Sequence, residues 1–175
     1  LHVRSRRQRQ MCIRDRSNIA HNTLTINGER HLVESNAPIT RTFESKKQKG
    51  AEVDLSSVFA NSVKKAVRTV ILDQKDHLEV IDRLETRDKE ATVSWIMVTP
   101  AEAKITGKNR IELTKDGQRM LLTADTGTEV EMKIWSNVPP HEYDFRNPGT
   151  IRVGFETVIP ANRASQLKVR LIPLK

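Results

Sequence analysis

Alternation of polar and apolar residues runs through most of this chain and constrains its fold more than any other feature. A period of two places successive side chains on opposite faces of a β-strand, whereas one face of a helix requires a period near 3.6. Residues 23–26 (Thr-Leu-Thr-Ile) show the pattern clearly and lead into Asn27-Gly28, a dipeptide that accepts positive φ in a two-residue turn. The sequence therefore predicts a β-strand that enters a tight turn.

Further alternating or β-branched segments follow, with polar turn residues between them. Residues 67–72 and 77–84 flank a polar segment and are predicted to pair as a hairpin. Residues 92–98 are apolar on both faces, which is typical of a central strand. Residues 103–124 contain three short strand segments, joined by polar turns that include Asp116-Gly117, and these predict a meander. The last predicted strands are residues 129–135, 151–159 and 167–172.

About ten strands with this spacing predict an all-β fold, an antiparallel β-sandwich. No segment repeats another, and glycine and proline fall between strands instead of forming a linker. We therefore expect one domain over residues 17–175, preceded by a disordered or non-native head at residues 1–16.

The head differs sharply in charge from the rest of the chain. It holds six arginines and one aspartate, so it supplies five of the eight net positive charges, and it also contains the only cysteine, Cys12. Residues 6–16 resemble the translation of a transposase-type sequencing adapter over eleven consecutive residues. We therefore expect the head to be non-native and the chain to be a fragment of a larger protein. The alternative is a native basic arm that docks on phosphate or on an anionic surface.

Without the head, the chain is close to neutral, which removes the main argument for nucleic-acid binding. Residues 17–175 contain no cysteine, and therefore no thiol nucleophile or Cys-based zinc site. They also contain no Gly-x-Ser-x-Gly elbow, no phosphate-binding loop and no His-Glu-x-x-His motif. No apolar run approaches the roughly 18 residues that a membrane span requires. These absences argue against a self-contained enzyme and against a membrane span in this chain.

Three residues are candidates for chemistry. His21 precedes a strand, where an imidazole can ligate zinc or transfer a proton; the alternative is a histidine that is simply hydrogen-bonded within the structure. His77 begins a strand, and a histidine at the edge of a loop is usually solvated. Asp54 could supply a carboxylate, although an aspartate at a strand end more often caps a turn.

The segment 135–149 concentrates aromatic and planar polar residues. A sugar surface needs flat apolar faces for ring C–H groups and polar groups for hydroxyls, so Trp135, Tyr143 and Arg146 are predicted carbohydrate contacts. The alternative is a long loop that its own aromatic residues hold against the sheet.

The order of several segments resembles a known family. His21-Asn22-Thr23 opens the series, and residues 51–56, 68–72 and 80–84 follow. Together they resemble the C-terminal β region of the heparinase II/III-like polysaccharide lyases, over residues 17–175. The His-Asn-Thr opening carries most of this resemblance.

The resemblance implies a bacterial enzyme that cleaves uronic-acid-containing polysaccharides, such as heparin or heparan sulfate, by β-elimination. In such lyases a base removes the C5 proton, an acid protonates the leaving O4, and neutralisation of the carboxylate stabilises the developing anion. A helical toroid that precedes the β region supplies much of this machinery. This chain is therefore expected to be inactive alone and to have the toroid of its parent chain and the polysaccharide as partners.

The resemblance also implies a structural zinc ion and a periplasmic or secreted location. The ligands of this zinc ion would be His21, His77 and Asp54, although His21 could instead match an active-site histidine. The alternative to a lyase region is a non-catalytic carbohydrate-binding or structural β module of a secreted protein.

Overall fold

The computed structural model describes residues 18, 21–74, 77–138 and 147–174, and these contain β-strands and no α-helix. No helix in this part of the chain is long and apolar enough to cross a membrane. The strands are β1 (Leu24–Ile26), β2 (Ile39–Glu44), β3 (Gln48–Asp54), β4 (Val63–Asp73), β5 (Leu78–Thr86), β6 (Ala91–Thr99), β7 (Glu102–Gly107), β8 (Arg110–Lys115), β9 (Gln118–Asp125), β10 (Glu131–Ser136), β11 (Ile151–Ile159) and β12 (Ala164–Leu174).

The strands of the described residues form two sheets, and every described strand pair is antiparallel. The small sheet has the order β1-β6-β11-β10, and the large sheet has the order β2-β3-β4-β5-β12-β9-β8-β7. The predicted all-β sandwich is therefore confirmed.

Local sequence explains the hairpins of the sandwich. Asp116 and Gly117, at the β8–β9 turn, have φ values of 51° and 76°. Asn27 and Gly28 have φ values of 54° and 68° in the tight turn that ends β1, which joins no hairpin because β1 pairs with β6. Two successive positive φ angles characterise the turn that matches the twist of a hairpin, and Asn, Asp and Gly are the residues that adopt them at least cost. The predicted β4–β5 hairpin, the β7–β8–β9 meander and the internal position of β6 are all confirmed.

The prediction of about ten strands missed two, β2 and β3. Nearly all of β2 is exposed, and the side chain of Ile39 is 64% exposed. β3 is polar and contains Gly50. Neither strand has the alternation that burial of one face imposes, so the pattern gave no signal.

The core lies between the two sheets and joins β6 and β11 to the inner face of the large sheet. Trp95 and Phe155 stack there with ring centroids 6.1 Å apart and planes inclined by 3°. Gly154 lets β11 approach β6 closely, because a Cβ atom at this position would lie 1.8 Å from the Trp95 carbonyl oxygen.

Candidate functional site

The His21-Asn22-Thr23 segment bridges the two sheets just before β1. The Arg68 guanidinium on β4 donates from Nη1 to the Asn22 carbonyl oxygen at 3.1 Å. The Asn22 side-chain oxygen accepts from the Val98 backbone N–H at 2.8 Å, and the Thr23 carbonyl accepts from the N–H of Ile96 at 3.2 Å. The segment is thus held on both sides, and it presents His21 as an exposed residue.

A buried ion pair lies beneath this segment. Arg68 donates from Nε to Asp82 Oδ1 at 2.7 Å and from Nη2 to Asp82 Oδ2 at 2.9 Å. The side chains are 14% and 1% exposed, respectively. Asp82 follows Val80 and precedes Leu84 on the core-facing side of β5, so its carboxylate needs a partner at close range. Arg68 supplies that partner and uses its remaining N–H groups to hold Asn22.

A second histidine completes the group. His31 packs edge-on against Phe59, with centroids 4.8 Å apart and an interplanar angle of 88°, and its Nε2 lies 3.4 Å from the Leu24 carbonyl oxygen. Burial lowers the pKa of His31; the contact with Leu24 opposes this shift, and the charges of His21 and Arg68 add to it. We refer to His21, Asn22, His31, Arg68 and Asp82 as the polar junction.

An open groove of about 390 Å³ adjoins the polar junction. Asn22 contributes to both, and the groove extends over the inner face of the large sheet to the β8–β9 turn. Its floor is apolar, whereas Lys115, Gln118 and Arg119 bring polar groups to its rim. We call it the end groove; its lining residues are Asn22, Met97, Val98, Thr99, Ala101, Leu113, Lys115, Gln118, Arg119, Met120, Leu171 and Pro173.

The structure separates two of the three predicted zinc ligands, Asp54 and His77. Gln48 pairs with Asp73 at one end of β3, whereas Asp54 lies six residues further along and pairs with Val67. At about 3.3 Å per residue, this separates Asp54 from the His77 end of the hairpin by roughly 20 Å. No group of three or more His, Cys, Asp or Glu side chains that could hold a metal occurs in the described part of the chain.

His77 and Asp54 have local structural partners instead. The backbone N–H of His77 donates to Asp73 Oδ1 at 3.0 Å, and its Nδ1 lies 3.6 Å from Asp73 Oδ2. Asp54 Oδ1 accepts from the Ser56 N–H at 2.8 Å; hydrogen bonding by Ser56 lowers the pKa of Asp54. The structure therefore does not bring His77 and Asp54 together, and the grouping of His21, His77 and Asp54 as one zinc site stays a prediction.

The chain's relatives identify its family. A model of the family described as "Heparinase II/III-like, C-terminal" matches residues 13–172. The chain belongs to this family. The match begins four residues before residue 17, so the domain boundary and the adapter origin of residues 6–16 stay predictions.

Solved structures share the heparinase II/III-like fold of this chain. The crystal structure of heparinase III superposes with a TM-score of 0.69 at 14% identity, over 87% of this chain and 23% of that chain. A mutant of the heparan sulfate lyase HepC from Pedobacter heparinus gives 0.67 at 18% identity, over 96% of this chain and 26% of that chain. No curated protein sequence matches the chain. The chain thus spans about a quarter of these two proteins, and the likeness establishes the fold.

The predicted carbohydrate contacts of this heparinase II/III-like domain are only partly described. Trp135 lies on β10, half-buried, opposite Arg152 of β11. Tyr143 and Arg146 lie outside the described residues. The grouping of these three residues on one sugar surface stays a prediction.

Sequence reasoning missed Arg68, Asp82 and His31. The signal for Asp82 was present, because alternation places it on the same side of its strand as Leu78 and Val80. A carboxylate on an apolar strand face predicts a buried cation or hydrogen-bond donor. The sequence pattern could not identify Arg68 as this partner, because neither strand alone determines the register between β4 and β5.

Proposed function

We propose that this chain is the C-terminal β-sandwich of a polysaccharide lyase that cleaves heparan-sulfate-like, uronic-acid-containing glycans by β-elimination, in the periplasm or outside the cell. The family match over residues 13–172 carries this proposal. The names of the solved relatives, heparinase III and heparan sulfate lyase, support the substrate class. In this proposal a helical domain of the parent chain supplies the remaining catalytic groups, and the sandwich alone is inactive.

The polar junction and the end groove would form one wall of the substrate cleft. His21 is exposed, and an imidazole is suited to proton transfer near neutral pH. Lys115 and Arg119 at the rim pair with Asp116 and Glu112 and can exchange these exposed partners for a uronate carboxylate. The amide groups of Asn22 and Gln118 match the hydrogen-bonding needs of hydroxyl groups. The apolar floor can receive the C–H face of a sugar ring.

Arg68 and Asp82 have a positioning role in this proposal. They engage each other and the backbone of Asn22, so they fix the segment that carries His21 without contacting solvent freely. Zinc is left out of the proposal, because His77 and Asp54 lie at opposite ends of the β3–β4 pair.

The test is an assay on the full parent enzyme. β-Elimination creates a double bond conjugated with the uronate carboxylate, and the short-wavelength ultraviolet absorbance of this group follows cleavage directly. His21→Ala is expected to lower kcat by roughly 100-fold or more, the usual size of a general acid–base contribution. His77→Ala serves as the matched control, and this variant should retain activity. His77 lies near the end of the β3–β4 pair that is remote from Arg68 and from the His21 segment.

A parent enzyme that releases no unsaturated uronate from heparan sulfate or from other uronate polymers would overturn the proposal. If the sandwich binds these glycans and the intact parent cleaves none, the chain is instead a carbohydrate-binding module, the alternative that the open end groove favours.

A further inference from the structure

The hairpin between β2 and β3 carries a cluster of lysines that the proposed active wall does not use. Lys46 and Lys47 occupy the turn and Lys49 begins the paired part of β3; all three are exposed. None of their ammonium groups forms an ion pair with any residue that the structure describes. Most of the other lysines on the described strands form an ion pair with a carboxylate, as Lys64, Lys133 and Lys168 do. We call residues 45–49 the basic hairpin.

The turn of the basic hairpin is well ordered by its own hydrogen bonds. Ser45 Oγ accepts from the N–H groups of Lys47 and Gln48, each at 3.2 Å, and the Ser45 N–H donates to the Gln48 carbonyl at 2.8 Å. The Lys47 carbonyl accepts from the N–H of Gln74 at 3.1 Å, which ties the hairpin to β4. A fixed backbone lowers the entropy cost of holding several cations at one site.

A groove of about 510 Å³ lies beside the basic hairpin. Its floor consists of apolar side chains from β3, β4 and β5. Phe43 pairs with Gly50 and covers it with its ring, on the face of the sheet opposite to Ala51 and Val70. The Arg41 guanidinium lies 5.0 Å from the centre of that ring. We call this the hairpin groove; its lining residues are Thr42, Phe43, Glu44, Lys49, Gly50, Ala51, Val70, Leu72 and Leu78.

The hairpin groove and the end groove lie on the same face of the large sheet. Leu78 lines the first and Leu171 lines the second, and these two residues are direct cross-strand partners, so they share one face of the large sheet. The path from β3 to β8 crosses five inter-strand spacings, or about 24 Å at roughly 4.8 Å each. Lys49 lies at one end of this path and Lys115 lies at the other. Two grooves aligned over this length suit a polymer better than a small molecule.

We propose that the basic hairpin and the hairpin groove form a second subsite for an anionic polysaccharide, which continues the chain held at the end groove. The identity of the polysaccharide rests on the proposed function; the location and the chemistry rest on the residues just described. Three ammonium groups without an ion-pair partner among the described residues complement sulfate or carboxylate groups, and the apolar floor complements the C–H faces of sugar rings. Lys46, Lys47 and Lys49 are binding residues here and take no part in bond cleavage.

The test measures binding of heparan sulfate to the full chain in a background where the six head arginines are replaced by glutamine. Lys46→Gln/Lys47→Gln/Lys49→Gln is the test variant. Lys89→Gln/Lys104→Gln/Lys108→Gln is the matched control, because it removes the same charge from exposed positions elsewhere. Circular dichroism and thermal unfolding of both variants establish that they fold alike.

We expect the test variant to bind heparan sulfate roughly tenfold more weakly than the unsubstituted chain, as the loss of three modest surface charge contacts would give. The affinity of the control variant should stay within about twofold of that of the unsubstituted chain. The difference should shrink at high salt, because screening weakens exposed charge pairs. Three results would each overturn the subsite. The two variants could bind with equal affinity, the unsubstituted chain could fail to bind heparan sulfate, or it could bind double-stranded DNA more tightly than heparan sulfate. None of these results depends on cleavage, so a failure of the lyase proposal is recognised separately in the activity assay.

Discussion

The buried pair of Arg68 and Asp82 offers the sharpest test of how this sandwich is held together. Arg68→Met removes the cation and leaves the Asp82 carboxylate, 1% exposed, without its two charge-assisted hydrogen bonds. Asp82→Leu removes the anion instead. Its effect should be smaller, because Arg68 is 14% exposed and can still donate to the Asn22 carbonyl and to water.

Removing one partner of a buried ion pair typically costs about 3–5 kcal/mol, while replacing both by apolar residues of similar volume costs much less. We therefore expect Arg68→Met to lower the free energy of unfolding by about 3–5 kcal/mol. For a chain of this size, that corresponds to roughly 6–20 °C in Tm. The double variant Arg68→Met/Asp82→Leu should be more stable than Arg68→Met alone, with a coupling energy of about 2 kcal/mol or more.

Urea unfolding followed by tryptophan fluorescence measures all four free energies, since Trp95 lies in the core. Equal m-values across the four proteins would establish that the unfolded states are comparable. Additive effects of the two substitutions, or a loss below about 1 kcal/mol for Arg68→Met, would refute the view that this pair is buried and mutually dependent.

Two further predictions concern single positions. Gly154→Ala is expected to lower the free energy of unfolding by at least about 3 kcal/mol, because its Cβ would lie 1.8 Å from the Trp95 carbonyl oxygen. Gly107→Ala is the control, since the nearest atom to a Cβ there is 3.8 Å away. Similar Tm values for the two variants would contradict the close approach at Gly154. Burial lowers the pKa of His31 in the folded chain, so as the pH falls this histidine is protonated in the unfolded chain before it is protonated in the folded chain. Stability should therefore fall as pH drops from about 7 to about 5, and His31→Asn should flatten this dependence in urea titrations; an unchanged slope would contradict it.

The fold was readable from the sequence wherever one face of a strand is buried. Alternation located β5 and the meander because their inward residues form the core, whereas β6 was recognised because it is apolar on both faces. It missed β2, whose residues are almost all exposed, and β3, whose Gly50 has no side chain to contribute to a pattern. Period-two alternation reports burial of one face, so strands that extend beyond the small sheet leave no such trace.

The polar junction was harder to predict, because it depends on pairing between distant segments. Asp82 stood out as a charge on an apolar strand face, whereas its partner Arg68 is set by the register of β4 against β5. The same dependence affects the zinc site that the family resemblance implied. It grouped Asp54 with His77, yet the antiparallel β3–β4 pair places them at opposite ends.

The position of the His21-Asn22-Thr23 segment also separates two roles that activity alone would confuse. Asn22 joins the sheets through its carbonyl and its side chain, so its loss is expected to reduce stability first and activity as a consequence. His21 is exposed, so its loss should leave stability nearly unchanged. If His21→Ala abolishes cleavage at unaltered Tm while Asn22→Ala lowers both, the imidazole acts in the reaction and the asparagine acts through the fold. If both substitutions lower Tm equally, the motif is structural, and the catalytic histidine must lie elsewhere in the parent enzyme.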